Sequence, residues 1–552
     1  MIRYFPLSIL IFFLFIIFPG FAQETSTEKD FTVHYFPTKL ELNFDNGKLP
    51  SYIKLTDAFS NIEVPLEKTN TPNLFVINSV KPSQFFRIDY TLSNQKEMVH
   101  SSTTIASKSA SSGLINVYFN HTVDATFSQT QNAVNLSNTL DNMLISYINN
   151  CIATLDIAIY NSYSPSATTG IAGAINAAFA RGVQVRIIYD GSTSSSMLPL
   201  LNSAIPMVAS PTTSSGIMHN KFVIIDAICN NPFLSYVWTG STNWTTAQID
   251  GPDRNNAIVI QDQTLAGAYT LEFEEMWGSS SATPNTTISK FGQYKTNNTP
   301  HNFIIGGKIV ESYFSPSDGT TSKIISAINS AISDIEIAVM NFTRTDISSA
   351  LLNKYNSGFT NINVLLDSSN PLGNQITTLQ AGLLPNHALV DSASGIMHHK
   401  FMVIDNFNSN SDPLVLTGSH NWSTAAETKN DENTLIVHDA NIANQYFQAF
   451  APLYQASGGT INLPLSNIDN NNNGSLIKII PNPNSGIFEV ISSENLNDIE
   501  IRLYDILGKL IYENQYSLFS NCSIDMSSNK SGFYSMDVNY GEKSNHFKIV
   551  KK

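Results

Sequence analysis

Two copies of a short histidine- and lysine-containing motif carry the residues of this chain best suited to phosphate chemistry. The first copy reads GIMHNKFVIID and the second reads GIMHHKFMVID. The motif residues are His219, Lys221 and Asp226 in the first copy and His398, Lys400 and Asp405 in the second. A strand places side chains two residues apart on one face, so each imidazole is expected to lie beside an ammonium group.

This pairing suits attack on a phosphodiester. Lysine supplies a compact positive charge for phosphoryl oxygens. Histidine titrates near neutral pH, so one imidazole can be neutral and nucleophilic while the other is protonated and acidic. Two copies at equivalent points of a duplication exclude a chance match, and the remaining alternative is an inactive duplicate.

The motifs belong to an internal duplication that runs from Leu114 to about Gly459. The two histidines are 398 − 219 = 179 residues apart, and nearly the same offset aligns the strand ending at Asp190 with the one ending at Asp367. Each motif is followed by a Gly-Ser-x-Asn-Trp block. Self-similarity over such a distance indicates two copies of one folding unit.

Each copy is predicted to alternate apolar strands with amphipathic helices, over residues 172–181 in the first and 324–332 in the second. The motif strand, the Gly-Ser strand and a further strand then precede a closing helix. Apolar strands that alternate with helices predict an α/β fold, with a mostly parallel sheet covered on both faces.

With these motifs the chain resembles the phospholipase D superfamily across both halves, residues 114–289 and 290–460. The resemblance implies two α/β halves packed as a pseudo-dimer, both histidines at one cleft, and no metal or other cofactor. It also implies that His219 is the nucleophile and His398 the general acid and base. The resemblance further implies that the phosphoryl oxygens are held by Lys221, Lys400, Asn243 and Asn421. Ser241 and Ser419 would assist them.

The acidic residues raise a question that the sequence leaves open. Asp226 and Asp405 complete the catalytic motifs, but each lies at the far end of its strand and is expected to be mainly structural. Family members also carry an acidic residue after the Gly-Ser block to orient a histidine, and Glu432 occupies that position in the second copy. The first copy has Asn255 there, with Asp253 or Asp250 as possible substitutes. Glu432 could serve either histidine.

Two further histidines accompany the second motif. His399 should point to the opposite strand face from His398 and is expected to take no part in the chemistry. His420 lies inside the second Gly-Ser block, where the first copy has Thr242, and is a candidate for tuning substrate choice.

The amino-terminal region is predicted to contain an export signal and a small β domain. Arg3 and the apolar run from Leu7 to Phe18 indicate a signal peptide over residues 1–22, with a membrane anchor as the alternative. Short strands between turn residues predict the β domain over residues 24–100, followed by a linker over residues 101–113.

The carboxyl-terminal segment, residues 476–552, follows a second linker over residues 463–475 and reads as a β-sandwich. Its PNPNSGIFEV, YDILGK and GFY stretches and basic end resemble the sorting domain of proteins exported by type IX secretion. That resemblance implies a Gram-negative bacterial protein, secreted or held at the cell surface by way of the export machinery. The alternative is a generic binding sandwich.

Charge and cysteine content narrow the function. Between Leu114 and Gly459, 12 Lys and Arg stand against 24 Asp and Glu, a difference of −12, whereas nucleic-acid-binding proteins usually carry a basic face. The balance favours a phospholipid substrate over nucleic acid, with an endonuclease and a non-catalytic binding protein as alternatives. The three cysteines are too few for a disulfide framework, so buried free thiols are favoured over a Cys151–Cys229 bridge. A monomer is expected.

Overall fold

The computed structural model describes residues 24–93, 98–163, 165–212, 216–369, 373–408, 411–461, 476–480, 482, 484–505, 509–541 and 543–551. The predicted signal peptide and the predicted second linker lie outside these residues. Within the described residues, no helix has both the length and the apolar character needed to cross a bilayer.

The amino-terminal domain contains two antiparallel sheets around one core. Its strands are β1 Thr25–Thr27, β2 Phe31–Tyr35, β3 Lys39–Phe44, β4 Pro50–Asp57, β5 Glu67–Lys68, β6 Leu74–Asn78, β7 Phe85–Ser93 and β8 Met98–Ala106. Sheet orders are β1-β2-β3-β6-β5 and β4-β7-β8. Apolar side chains on alternate positions meet between the sheets, where Phe44 packs edge to face on Tyr90.

The linker prediction for residues 101–113 is wrong over its first half. Strand β8 continues to Ala106 and pairs with β7 along its whole length. Its last residues, including Ile105, are buried in the core. Ser102 is exposed, as an edge strand allows, whereas Thr104 is buried together with Ile105, so this stretch is an edge strand rather than a flexible connection.

The first half is an eight-stranded sheet flanked by helices. Its elements are β9 Ile115–Phe119, β10 Val134–Asn135, α1 Leu140–Asn149, β11 Thr154–Ile159, α2 Pro165–Ala180, β12 Gln184–Tyr189, β13 Met207–Ala209, β14 Lys221–Ile225, β15 Tyr236–Gly240, α3 Thr246–Ile249, β16 Asn256–Gln261 and α4 Gln263–Trp277. The strand order is β10-β9-β16-β15-β14-β11-β12-β13.

The second half repeats this plan. Its elements are β17 Asn302–Ile305, β18 Lys308–Ser315, α5 Thr320–Ser330, β19 Ile335–Val339, α6 Thr345–Asn356, β20 Ile362–Asp367, α7 Ile376–Gly382, β21 Ala388–Asp391, β22 Lys400–Ile404, β23 Leu414–Gly418, α8 Thr424–Thr428, β24 Glu432–His438 and α9 Ala440–Ala456. The order β17-β18-β24-β23-β22-β19-β20-β21 confirms the duplication.

The predicted α/β class and the two amphipathic helices, α2 and α5, are confirmed, but the sheets are mixed rather than mostly parallel. In the first half only the β9–β10, β11–β12 and β12–β13 pairs are parallel. The motif strand β14 runs antiparallel to both of its neighbours. No α-helix lies between β14 and β15, and strands joined without a crossover helix pair antiparallel.

Repeated aspartates start the closing helix of each half. Asp262 accepts a hydrogen bond from the Leu265 amide at the start of α4, and Asp439 accepts one from the Ile442 amide at the start of α9, each at 2.8 Å. These side chains satisfy amide groups that the first helical turn leaves unpaired. The closing helices then bury their apolar faces between the two sheets.

The two halves share one core. The ring centroid of Tyr269 in α4 lies 4.9 Å from that of Phe314 in β18, and Tyr446 in α9 lies 5.2 Å from Phe119 in β9. All four side chains belong to one buried cluster that spans both sheets. The residues just before the motif strands also bridge this interface, Met218 to Asp431 and Met397 to Arg254.

The carboxyl-terminal region forms an antiparallel sheet from β25 Ile477–Ile480, β26 Ile487–Asp505, β27 Leu510–Asp525, β28 Gly532–Tyr540 and β29 Lys543–Lys551. Strands β26 and β27 are long and shift register between Ile491 and Leu496. An irregularity of this kind bends a strand, which lets one continuous sheet fold around an apolar core.

Candidate active site

Each motif histidine precedes its motif strand and is anchored by the other half of the chain. The His219 amide donates to the Asp431 carbonyl, and the His398 amide donates to the Arg254 carbonyl, both at 2.9 Å. Both side chains are more than nine-tenths buried. The interface between the halves therefore fixes the backbone on which each imidazole stands.

The partner of each imidazole also comes from the other half. His219 Nδ1 lies 2.8 Å from Glu432 Oε2, and His398 Nδ1 lies 2.9 Å from Asn255 Oδ1. Glu432 therefore serves His219, which settles the question that the sequence left open. In each case Nδ1 is occupied, so Nε2 is the nitrogen left for chemistry.

Asp253 does not replace the missing carboxylate of the first copy. Its Oδ1 accepts a hydrogen bond from the Ile396 amide at 2.8 Å, and Asp250 stands at the end of helix α3. Asn255 itself fills the position, so one histidine is paired with a charged group and the other with a neutral amide.

The predicted contact of Ser241 and Ser419 with substrate is not supported. Ser419 Oγ donates to Glu432 Oε2 at 2.7 Å, and Ser241 Oγ donates to Asn255 Oδ1 at 3.1 Å. Each hydroxyl also accepts a backbone amide from the adjoining strand. Both serines are fully buried and act on the groups that orient the histidines.

The two motif lysines are buried beside the histidines. Lys221 Nζ donates to the His219 carbonyl at 2.6 Å, and Lys400 Nζ donates to the His398 carbonyl at 2.7 Å. Burial lowers the pKa of Lys221 to about 7, although Glu432 acts in the opposite direction. Burial and the charge of Lys221 hold the pKa of Lys400 well below its usual value. An anion bound here would favour the charged form of both.

An aromatic residue of the site was missed by the sequence analysis. The Tyr160 ring lies 4.7 Å from the His219 ring and 5.0 Å from Lys221 Nζ, close enough for a cation–π contact. The residue facing Lys400 in the second half is Met340, whose sulfur lies 3.8 Å from Nζ. The two copies of the sequence differ here, with Tyr160 in LDIAIYN and Met340 in IEIAVMN, but nothing in the strand pattern marks this difference as part of a site.

Four asparagine side chains, two in each half, have a buried oxygen without a partner among the described residues. The buried side-chain oxygens of Asn243 and Asn421 have no hydrogen-bond partner among the described residues. The same holds for Asn161 and Asn341, which the sequence analysis did not select. Each of these amides therefore has one buried polar atom that is not paired within the described residues.

The motif aspartates lie outside this cluster, which confirms their structural role. Asp226 accepts the amides of residues 152, 153 and 154, and Asp405 accepts those of residues 332, 333 and 334. Both have positive φ, at 54° and 56°. They hold the turn before β11 and the turn before β19 against the far ends of the motif strands. Their place in the predicted catalytic set stays a prediction.

The electrostatic surroundings of the two histidines differ. Burial lowers the pKa of His219, while Glu432 opposes that effect. Burial, Lys400 and Lys221 together hold the pKa of His398 well below its usual value. Burial alone would raise the pKa of Glu432, but His219 and Lys221 keep it lowered and the carboxyl ionised.

The two remaining histidines have different surroundings. His399 points away from His398, as predicted, and its Nε2 lies 2.8 Å from that of His121 in the first half. His420 is buried, with Nε2 3.6 Å from Glu427 Oε2. Cys151 and Cys229 are free and buried, as expected.

Comparison with known families matches this architecture. The model described as "Cardiolipin synthase, PLD-like domain" matches residues 144–277 and 324–454, and the one described as "Secretion system C-terminal sorting domain" matches residues 478–552. The first pair of ranges contains both motifs.

Three curated relatives illustrate the likeness. Mitochondrial cardiolipin hydrolase of Drosophila melanogaster is 31% identical over 162 residues, 26% of this chain and 61% of that protein. The Xenopus tropicalis protein of the same name is 34% identical over 127 residues, 22% of this chain and 54% of its own. Phospholipase D of Rickettsia bellii is 30% identical over 141 residues, 25% of this chain and 66% of its own.

The chain thus spans between 54% and 66% of the length of these relatives. The two matched domains coincide with the two structural halves, and the cluster of histidines and lysines lies between them. The chain belongs to the phospholipase D superfamily, with two PLD-like domains followed by a secretion-system C-terminal sorting domain.

Proposed function

We propose that the protein is a secreted or cell-surface phosphodiesterase that needs no metal and works through a covalent phosphohistidine. The observation that carries this proposal is that two buried histidines have Nδ1 occupied by a group from the opposite half, while two buried lysines lie beside them. This arrangement leaves both Nε2 atoms for reaction and supplies positive charge for the phosphoryl oxygens.

In the proposed mechanism, Nε2 of His219 attacks phosphorus and the bond to the leaving alcohol breaks. Protonated His398 gives its proton to the departing oxygen. Neutral His398 then takes a proton from water, whose oxygen attacks phosphorus and breaks the P–N bond. Glu432 suits His219 to the nucleophilic role, because its carboxylate stabilises the positive imidazole ring of the phosphohistidine.

We further propose a phospholipid substrate, from which the enzyme releases the headgroup and leaves phosphatidate. The acidic balance of the two halves supports this choice, as do the names of the relatives, cardiolipin hydrolase and phospholipase D. The second candidate is a metal-independent endonuclease on the same fold. The protein is proposed to act as a monomer whose halves form the pseudo-dimer.

One set of assays separates these candidates. The mature full chain would be given vesicles of phosphatidylcholine or cardiolipin and, separately, single- and double-stranded DNA and RNA, all with a metal chelator. Headgroup release that disappears in His219→Ala supports the lipase. Nicked nucleic acid with intact lipid would replace it by the nuclease, and no turnover of either, or of bis-p-nitrophenyl phosphate, would remove the enzyme proposal.

A trapping experiment assigns the nucleophile. The enzyme would be quenched in acid-free conditions during turnover of a substrate with labelled phosphorus, and the labelled peptide would be sequenced. We expect label on His219. Label on His398 would reverse the roles while leaving the covalent mechanism intact.

A further inference from the structure

The two histidines have equivalent hydrogen-bonded surroundings, except that Glu432 is charged and Asn255 is neutral. Ser419 donates to Glu432 behind His219, and Ser241 donates to Asn255 behind His398. Asn255 is completely buried, and its Nδ2 has no hydrogen-bond partner among the described residues. Asn255 Oδ1 can fix the Nδ1–H tautomer of His398, but it brings no negative charge to an imidazolium ion.

The other charged groups around His398 do not fill this gap. Lys400, Lys221 and His219 all act on it as cations or potential cations, as does His399 on its own strand. Arg254, whose carbonyl holds the His398 amide, directs its guanidinium to Asp391 at 2.7 Å.

The nearby carboxylates are engaged elsewhere. Asp367 accepts the Met397 amide at 2.6 Å, Asp253 accepts the Ile396 amide at 2.8 Å, and Glu432 is bonded to His219. Among the residues that the structure describes, none places a carboxylate oxygen against the imidazole of His398. A buried imidazolium ion would therefore stand without a counter-charge, which is costly.

We propose that the phosphodiester itself is the missing counter-charge, so that His398 takes up its proton when the anionic substrate binds and Asn255 is the positioning residue that makes this coupling necessary. This inference rests on the proposed function. The diester carries one negative charge. Bound between Lys221, Lys400 and the two imidazoles, it brings that charge next to His398.

The proton then follows a closed path. His398 gains it from solvent on binding, passes it to the leaving oxygen in the first step, and regains one from the attacking water in the second. It releases that proton when the anionic product leaves. Without substrate, His398 is neutral. The general acid therefore forms only when a phosphodiester is bound.

Calorimetry on the mature full chain measures this coupling. Inorganic sulfate is a suitable probe, because it is tetrahedral and has no proton to exchange near neutral pH. Its binding would be followed at pH 7 in buffers of different ionisation enthalpy, which gives the number of protons taken up. We expect uptake in the native protein, including a share from the buried lysines, and a clear decrease in Asn255→Asp, where the carboxylate has already charged His398.

Two further variants isolate the charge. Asn255→Ala removes the amide without adding charge and should keep the native uptake. Glu432→Gln gives His219 the same neutral surroundings and should increase uptake, which keeps the test decisive if circular dichroism shows that Asn255→Asp is misfolded. Equal uptake in all folded variants, or no sulfate binding at all, would overturn the inference.

A pH profile provides the readout that a merely structural role would not move. In Asn255→Asp, the basic limb of kcat/KM for bis-p-nitrophenyl phosphate should move up by about one pH unit or more, because a nearby opposite charge favours the protonated imidazole. An unmoved limb counts against the inference. Turnover with unchanged proton uptake would remove the inference alone, whereas anion-linked uptake without any turnover would remove the proposed function alone.

Discussion

The two halves of this protein have the same strand order but different surroundings for the same histidine. In both, the motif lysine donates to the backbone carbonyl of the motif histidine in its own half. In both, a serine donates to the side chain that pairs with the histidine of the other half. The differences include three pairs of side chains: Glu432 and Asn255, Tyr160 and Met340, and His420 and Thr242. The duplicated backbone places the two motifs in equivalent positions, and the unequal side chains underlie the unequal roles proposed for the two histidines.

The His219 and His398 variants should differ in how strongly their rates depend on the leaving group. His219→Ala should lower headgroup release by at least about a hundredfold, as should His398→Ala, because each removes a group that reacts. With p-nitrophenolate, which needs no proton to leave, His398→Ala should regain most of its rate in the first turnover and His219→Ala should not. Burst kinetics with bis-p-nitrophenyl phosphate measure this.

Equal recovery of both variants would show that the halves share the two tasks. Recovery of His219→Ala alone would mean that the roles are assigned the wrong way round. Either result leaves the family membership untouched, since that rests on the two domains and not on the division of labour.

The motif aspartates should behave alike, in contrast to the histidines. Asp226→Ala and Asp405→Ala each remove the acceptor of three backbone amides, one of them buried, so each should lower the free energy of unfolding by about 3 kcal/mol. Denaturant unfolding measures this loss. Activity per folded molecule should stay close to that of the native protein, and a selective loss of kcat in either variant would return that aspartate to the catalytic set.

Glu432→Gln should make the surroundings of His219 resemble those of His398, because both imidazoles would then be paired with a neutral amide. We expect kcat to fall by about tenfold or more, because the positive ring formed on attack loses its carboxylate. Glu432 raises the pKa of His219 against the effect of burial. Its removal should therefore lower that pKa further, and the acid limb of kcat/KM, which requires neutral His219, should move to lower pH.

The matched variant is Asn255→Asp, which should move the basic limb and leave the acid limb in place. A shift of the basic limb in Glu432→Gln would show that the two histidines titrate as one coupled pair.

Exchanging the residues that face the lysines should have the smallest effect. Tyr160→Met removes a cation–π contact from Lys221, which is worth about 0.5–2 kcal/mol, so KM should rise a few-fold with little change in kcat. Met340→Tyr tests the reverse exchange beside Lys400. Steady-state kinetics on one diester would measure both, and a large fall in kcat for Tyr160→Met would place the ring in the reaction itself.

Much of this arrangement could be predicted from the sequence because it is local. His219 and Lys221 are two residues apart on one strand, and the helices α2 and α5 follow from their apolar spacing. The partners of the histidines are not local: Glu432 is 213 residues from His219, and Asn255 is 143 residues from His398. Spacing along the chain carries no information about which half supplies each group.

The serines show a second limit. A hydroxyl next to a catalytic strand can face the substrate or a neighbouring side chain, and the strand pairing decides between them. Ser241 is hydrogen-bonded to Asn256 of β16 and to the residue before it, and Ser419 is hydrogen-bonded to two residues of β24. Strands β16 and β24 are the antiparallel neighbours of the Gly-Ser strands β15 and β23. The sheets were predicted to be mostly parallel, so this contact could not be predicted.

The exchange of partners across the interface makes the chain a fused heterodimer. The backbone of His219 is held by Asp431 and its ring by Glu432, both from the other half. A first half separated from the second would lose the carboxylate of its own histidine. Paired with a copy of itself, it would offer two amide-backed imidazoles, and the second half paired with itself would offer two carboxylate-backed ones. Only the pairing of the two unlike halves, which this chain joins covalently, provides one of each.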